Sequence, residues 1–277
     1  MEWKRSIELL TPTFCRGAYQ DTPEIRAPSI RGVVRWWFRA LYGPADAGSN
    51  QRQGWQNVWN EEKDLFGGVA DGATASRLVF RVLQVTGPSG EHATLPHKPS
   101  PGQRSPQAAF DAGGSFELQV TSRLKPLSPA QAQKIESALE VWLLLGALGL
   151  RANRGGGSLW PVGDRAPKTA QELRRKLDAC GCRWPVYLAS AEVGTSLAAL
   201  RVAATDTVEE PRWVFGSARG ERLASPLKLK VVCFDGQLRL LITAPDERII
   251  TEARRALHGH HSKPETWTRI SSAPNAI

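Results

Sequence analysis

A chain of 277 residues, 41% hydrophobic and 23% charged, has the balance of a folded protein with a sizeable core, and it carries no apolar run near the ~20 residues of a membrane span. Its formal net charge is +9 and its pI about 9.7, with arginine outnumbering lysine by more than two to one. Planar guanidinium groups suit bidentate contacts with phosphate, and although a high-GC genome could account for the arginine excess it does not account for the net charge, so nucleic acid is the leading partner class.

The opening residues MEWKRSIELL lack the apolar stretch of a signal peptide, and a cytoplasmic protein with no membrane partner is expected. Residues 2–10 alternate, with Trp3, Ile7 and Leu9 on one face, and predict a strand. A polar, prolyl loop follows. Ser29 is then placed to cap a helix running to about Tyr42. Arg31, Arg35 and Arg39 recur at i, i+4 and i+8 as a basic stripe, opposite Val33, Val34, Trp37, Phe38 and Leu41.

Residues 43–76 read as an irregular, Trp-containing insertion with a short helix near QNVWNEEKDLFGG. RLVFRVLQV (77–85) and FELQVTSRL (116–124) read as strands, separated by a long mobile loop over 87–114. Ser128 and Pro129 open a long helix at its cap and first position, and SLWPVG (158–163) is a short strand. The order strand, helix, strand, strand, helix, strand predicts an α+β protein. Its ferredoxin-like (RRM-like) βαββαβ core spans 1–165, with insertions at 43–76 and 87–114.

Residues 166–277 predict a second, smaller α/β element packed on that core. It contains a helix with a capping box from Thr169 to Glu172, a hairpin at Asp235-Gly236 and a final amphipathic helix, DERIITEARRALHG. No sequence repeat relates the halves.

Between the second core helix and its last strand lies GALGLRANRGGGSLW (146–160). It reads either as a helix terminus with a tight turn or as a phosphate-contacting loop. It is neither a Walker A motif nor a dinucleotide fingerprint. In the second reading, the glycine N–H groups with Arg151 and Arg154 form a cationic nest, and the topology brings them into one groove with the Arg31, Arg35 and Arg39 stripe.

The cysteines Cys15, Cys180, Cys182 and Cys233 and the HGHH cluster at 258–261 have no metal-site spacing, so free thiols, no metal and no cofactor are expected. His92 and His97 are the acid–base candidates in the 87–114 loop, and Glu61, Glu62 and Asp64 read as a charged helix face ahead of a magnesium site. No catalytic residue is assigned.

IRAPSIRGVVRWWFRAL (25–41), preceded by LLTPTFCRGAYQ (9–20), resembles the opening of the RAMP proteins of CRISPR effector complexes. GALGLRANRGGGSLW and FGSARGERLASPLKLKVV (215–232) are similar to two further stretches of that superfamily. The double Trp and the P-S-I-R-G entry look most like the first Cmr subunit of type III-B systems. The resemblance implies a duplicated or extended ferredoxin-like core. It also implies a non-catalytic subunit that contacts guide (CRISPR) RNA and target RNA near the guide's 3′ end, among other Cmr subunits. The candidate RNA contacts in these stretches are Arg26, Ser29, Arg31, Arg35, Arg39, Arg151, Asn153, Arg154, Gly155, Gly156, Gly157, Arg219 and Arg222. Two rival readings stand beside it: a RAMP-type endoribonuclease using His92 or His97, and a protein-binding end cap docking through the Trp-rich segment 55–66.

Overall fold

The computed structural model describes residues 1–44, 51–69, 72–190, 194–206, 208–217, 220–258, 264 and 266–270. Strand β1 (Glu2–Leu9) buries Trp3, Ile7 and Leu9, and pairs antiparallel with β5 (Ser115–Ser122) in a register that sets Trp3 opposite Val120 and Ile7 opposite Phe116. Helix α1 (Ala27–Tyr42) starts earlier than the sequence suggests. Arg26 occupies the cap position and Pro28 lies in the first turn, where its fixed φ favours helix and its missing N–H is not needed. Ser29 is therefore a helical residue, not the cap.

Two further expectations are corrected nearby. The insertion holds a full helix, α2 (Gln51–Phe66), which lies against α1. The 87–114 segment is an ordered hairpin, β3 (Ser89–Ala93) and β4 (Pro106–Phe110), joined through a 3-10 turn at Pro101–Arg104. Short strands rich in Gly, Ala and Pro carry no hydrophobic alternation, which is why the pairing is invisible locally.

Strand β2 (Leu78–Thr86), helix α3 (Pro129–Leu145) and strand β6 (Leu159–Pro161) complete the first unit. Ser128 accepts from the Gln131 N–H while the Gln131 side chain accepts from the Ser128 N–H, a full capping box. The sheet order is β2-β5-β1-β6, antiparallel throughout. From the other edge it reads fourth, first, third, second strand, the ferredoxin-like arrangement.

Helix α4 (Ala170–Ala179), capped by Thr169, packs on α3 and buries Leu173 and Leu177. The chain then runs through β7 (Val186–Ala189), α5 (Leu197–Thr205), the short α6 (Arg212–Phe215), β8 (Lys228–Phe234), β9 (Gln237–Thr243), α7 (Glu247–Leu257) and β10 (Trp267–Arg269). The sheet order is β10-β7-β9-β8. Counted within this half, that is again fourth, first, third, second. The smaller α/β element is thus a second βαββαβ unit, carried by strands of three and four residues at β10 and β7. Asp235 and Gly236 take positive φ (49° and 81°) at the β8–β9 turn, as the dipeptide predicts.

The two sheets share one continuous core. Trp160 of β6 meets Phe234 of β8 edge to face at 5.8 Å, and Lys230, 1% exposed, reaches across to donate to the Leu143 carbonyl at 2.7 Å. The seam between them runs directly under the glycine loop.

Candidate nucleic-acid interface

The glycine loop belongs to that seam. Gly157 has φ +58°, and a β-carbon there would lie 1.8 Å from the Leu148 carbonyl oxygen, so only glycine fits. Its N–H donates to Pro12 at 3.0 Å and its carbonyl accepts from Leu148 at 2.9 Å. Gly155 donates to Leu229 at 2.8 Å, Leu229 donates back to Asn153 at 3.1 Å, and Gly156 donates to Arg151 at 3.1 Å. The loop therefore pairs in parallel with β8 at Arg154 and Leu229, extending the second sheet by one contact. All three glycines are buried. This corrects the expected nest: its amides are spent inside the fold and do not face a phosphate.

Arg154 is corrected with it. Only 9% exposed, it donates from Nη2 to the Phe215 carbonyl (2.8 Å) and Ser225 Oγ (3.2 Å), and from Nη1 to the carbonyls of Asn153 (2.9 Å) and Leu227 (3.4 Å). Burial, with Arg151 adding, pulls its pKa down to about 10. It is a brace between the loop and the chain leading into β8. Arg151 stands exposed at φ +59°.

On α1 the stripe is partly neutralised. Glu62 of α2, 1% exposed, accepts from Arg35 Nε and Nη2 through Oε1 (both 2.7 Å) and from Arg39 Nη1 through Oε1 and Oε2 (2.8 and 3.0 Å). One carboxylate thus orients two half-exposed guanidinium groups. Arg31, one turn earlier, lines a groove of about 260 Å³ with Pro28, Ser76, Phe80 and Arg123. Three arginines against a single carboxylate leave this face positive.

The opposite flank of α1 presents Trp36, 37% exposed, beside the fully buried Trp37. Trp36 packs edge-on against Trp37 and Trp184 (5.1 and 5.9 Å between centroids), and the Lys228 ammonium sits 4.1 Å from its ring centre. Lys228 donates to Asn153 Oδ1 at 2.9 Å, which ties this flank to the glycine loop. Its pKa falls to about 8 because burial disfavours the cation and Arg154 repels it.

Arg154 therefore takes no part in a groove with the stripe. Arg35 and Arg39 turn to Glu62 of α2, while the loop reaches α1 through Lys228 at Trp36. The expected groove fails at Arg154 because a loop bound into the second sheet draws that side chain into the seam.

The remaining candidates are dispersed. Arg26 lies 3.8 Å from Glu24, and Ser29 is half-buried beside the Cys15 thiol, whose pKa burial raises. Leu150 donates to the Phe14 carbonyl at 3.0 Å, so residues 14 and 15 bridge the α1 N-terminus and the loop. Arg222 is exposed ahead of β8. Arg219 lies outside the described residues, as do 259–261 of the HGHH cluster.

Among the residues that line this face, sequence reasoning missed Trp36 and Lys228. A signal existed for Trp36, since adjacent positions on a helix stand 100° apart and both indoles of a Trp pair cannot face one core.

His92 Nε2 lies 2.6 Å from an Asp111 carboxylate oxygen, and His97 Nδ1 lies 3.1 Å from Thr205 Oγ1 on α5. Together with Arg201, which donates to the Ala93 carbonyl, His97 fastens the hairpin to the second unit. Glu61 pairs with Lys134 at 2.7 Å and Asp64 with Arg77, so the acidic run is engaged in ion pairs with neighbouring segments. Among the described residues no three metal-ligating side chains converge, and no helix is long and apolar enough to cross a membrane.

The model of the RAMP superfamily matches residues 6–160, more than half of the chain. Two Pyrococcus furiosus proteins are similar in sequence. The CRISPR system Cmr subunit Cmr1-2 is 54% identical over 37 residues (13% of this chain, 20% of that protein). Cmr1-1 is 27% identical over 164 residues (50% of this chain, 41% of that protein). The alignments thus span less than half of either relative. In fold, the chain is similar to the apo crystal structure of Cmr1 from Pyrococcus furiosus (TM-score 0.59, 20% identity, 88% of this chain and 87% of that one). It is also similar to a chain of the type III-B Cmr-beta complex bound to cognate target RNA (TM-score 0.52, 11% identity, 87% and 93%). With the family model matching more than half of its length, the chain belongs to the RAMP superfamily, and in sequence and fold it is similar to Cmr1 proteins.

Proposed function

We propose that this protein is a non-catalytic RNA-binding subunit of a type III-B CRISPR effector complex. It contacts guide and target RNA near the guide's 3′ end and has other Cmr subunits as neighbours. Residues 1–165 and 166–277 act as two units joined at the seam described above.

The observation that carries the reading is the solvent face of α1, where Arg31, Arg35 and Arg39 outnumber the one carboxylate and an exposed Trp36 stands beside Lys228. Guanidinium groups hold a phosphate backbone without reading bases, and an indole stacks on any base. Recognition is therefore sequence-tolerant, as a guide-binding protein requires. The similarity to a chain of an assembly holding target RNA supports the same reading.

The test is whether the purified chain carries RNA, read from its absorbance ratio before and after nuclease treatment, together with incubation on labelled RNA with and without magnesium. Bound RNA and no specific cleavage are expected. Cleavage products lost on His92→Ala or His97→Ala would favour the endoribonuclease instead.

The exposed Trp55 and Trp59 of α2 favour a protein neighbour on that side of the molecule. Assembly with Cmr partners should weaken on Trp55→Ala with Trp59→Ala, while RNA binding stays unchanged.

A further inference from the structure

Gly32 stands in the second turn of α1, a 16-residue helix, where glycine is the poorest residue short of proline. Two internal reasons normally justify such a glycine, and neither applies here. Its backbone is helical, outside the positive-φ positions of this chain. A β-carbon built on it meets nothing within 4 Å, so no neighbouring element needs the space. The contrast with Gly146 is direct: a β-carbon there would lie 2.6 Å from the Trp142 carbonyl and 2.7 Å from Trp37 Nε1. Gly146 is required by the fold, and Gly32 is not.

What surrounds Gly32 indicates its use. Arg35 and Trp36 are its i+3 and i+4 neighbours, and Arg39 lies one further turn along. Without a side chain at 32, the helix backbone is bare between a guanidinium pair fixed by Glu62 and an exposed indole fixed by Trp37, Trp184 and Lys228. Both walls are held rigidly, and the floor is open.

We infer that Gly32 is the point of closest approach for single-stranded RNA, whose sugar-phosphate backbone crosses α1 there with a base against Trp36 and a phosphate toward Arg35 and Arg39. RNA suits the trough better than a protein segment because the charge left after Glu62 is positive and the apolar wall is a planar aromatic. The inference rests on the RNA-binding reading and adds to it the path of the strand.

The experiment uses the full chain and a fluorescein-labelled, unstructured oligoribonucleotide, with melting temperature and anisotropy measured on the same preparations. Gly32→Ala should melt at or above the wild-type temperature, by about 2–3 °C, because alanine favours the helix and meets no clash. It should nonetheless bind RNA about fivefold more weakly or worse, the low end of one lost base stack. Gly32→Gln should weaken binding further with the fold intact. A stabilised Gly32→Ala that binds like wild type would overturn the inference while leaving the RNA-binding reading standing, and wild type that binds no RNA would overturn both. Unchanged RNA affinity with lost assembly onto Cmr subunits would show a protein contact and would also overturn it. So would a Gly32→Ala variant that melts lower, since the fold would then need the glycine.

Discussion

Arg154→Ala removes a guanidinium that holds the carbonyls of Asn153, Phe215 and Leu227 and the Ser225 hydroxyl. Three of these contacts are well formed and the fourth is long, and hydrogen bonds from a charged group are worth ~1.5–3 kcal/mol each. The gross loss is therefore roughly 4–9 kcal/mol, against which removing a buried cation returns several kcal/mol of desolvation cost. A net destabilisation of about 3 kcal/mol follows, or roughly 6–12 °C in Tm at this chain length. Urea or thermal unfolding followed by tryptophan fluorescence reads it. RNA affinity measured well below the transition should change by less than about twofold, because the side chain has no access to a ligand. Arg151→Ala should behave oppositely, with stability within about 0.5 kcal/mol of wild type. An Arg154→Ala protein that unfolds like wild type but loses tenfold or more in RNA affinity would refute the brace and restore the phosphate contact.

Gly157→Ala should cost about 3 kcal/mol or abolish folding, since it combines a left-handed backbone with a clash on the Leu148 carbonyl and breaks the pairing to Pro12; soluble yield and Tm report it. Glu62→Gln should lower stability by about 1–2 kcal/mol, discounted because Arg35 and Arg39 are partly solvated, and chemical denaturation measures it. Lys228, with a folded pKa of about 8 against ~10.4 unfolded, binds fewer protons when folded across that interval, so its burial penalty is present below pH 8 and relieved as pH rises. The opposing effect of Cys180 and Cys182, whose thiols burial pushes up to about 11, begins as unfolded thiols ionise near pH 9. Between pH 8 and 9 the wild-type stability should therefore gain on that of Lys228→Met as pH rises, and equal slopes in paired melts would contradict this.

Local signals were legible wherever one short segment held its own explanation. The Ser128 cap, the Asp235-Gly236 turn and the apolar face of α1 each follow from neighbouring residues, and the first βαββαβ order follows from them in turn. The second unit was harder to see, because VYLA at β7 and WTR at β10 are too short for alternation to show. The glycine loop failed for a different reason. Its composition is that of an anion nest, and only the tertiary pairing with Leu229 and Pro12 reveals that its N–H groups are already used. Arg154 is the same case, since three of its four acceptors lie more than 60 residues away. The arginine stripe was visible on the helix, but Glu62 between Arg35 and Arg39 arrives from α2, in a segment read as mostly irregular.

The central claim is that the α1 face carrying Arg31 and Trp36 binds single-stranded RNA through its backbone. Fluorescence anisotropy with a labelled oligoribonucleotide across a salt series, for wild type and for Arg31→Ala combined with Trp36→Ala, tests it most directly. Wild-type affinity should fall linearly on a log–log plot, by roughly 0.7 in slope for each phosphate neutralised. The double variant should stay folded at the assay temperature, melting lower because Trp36 loses its packing on Trp37 and Trp184, and should bind at least about tenfold more weakly and with a shallower slope, as losing a base stack and a phosphate contact requires. Binding that ignores salt, or a folded double variant that binds like wild type, would contradict it.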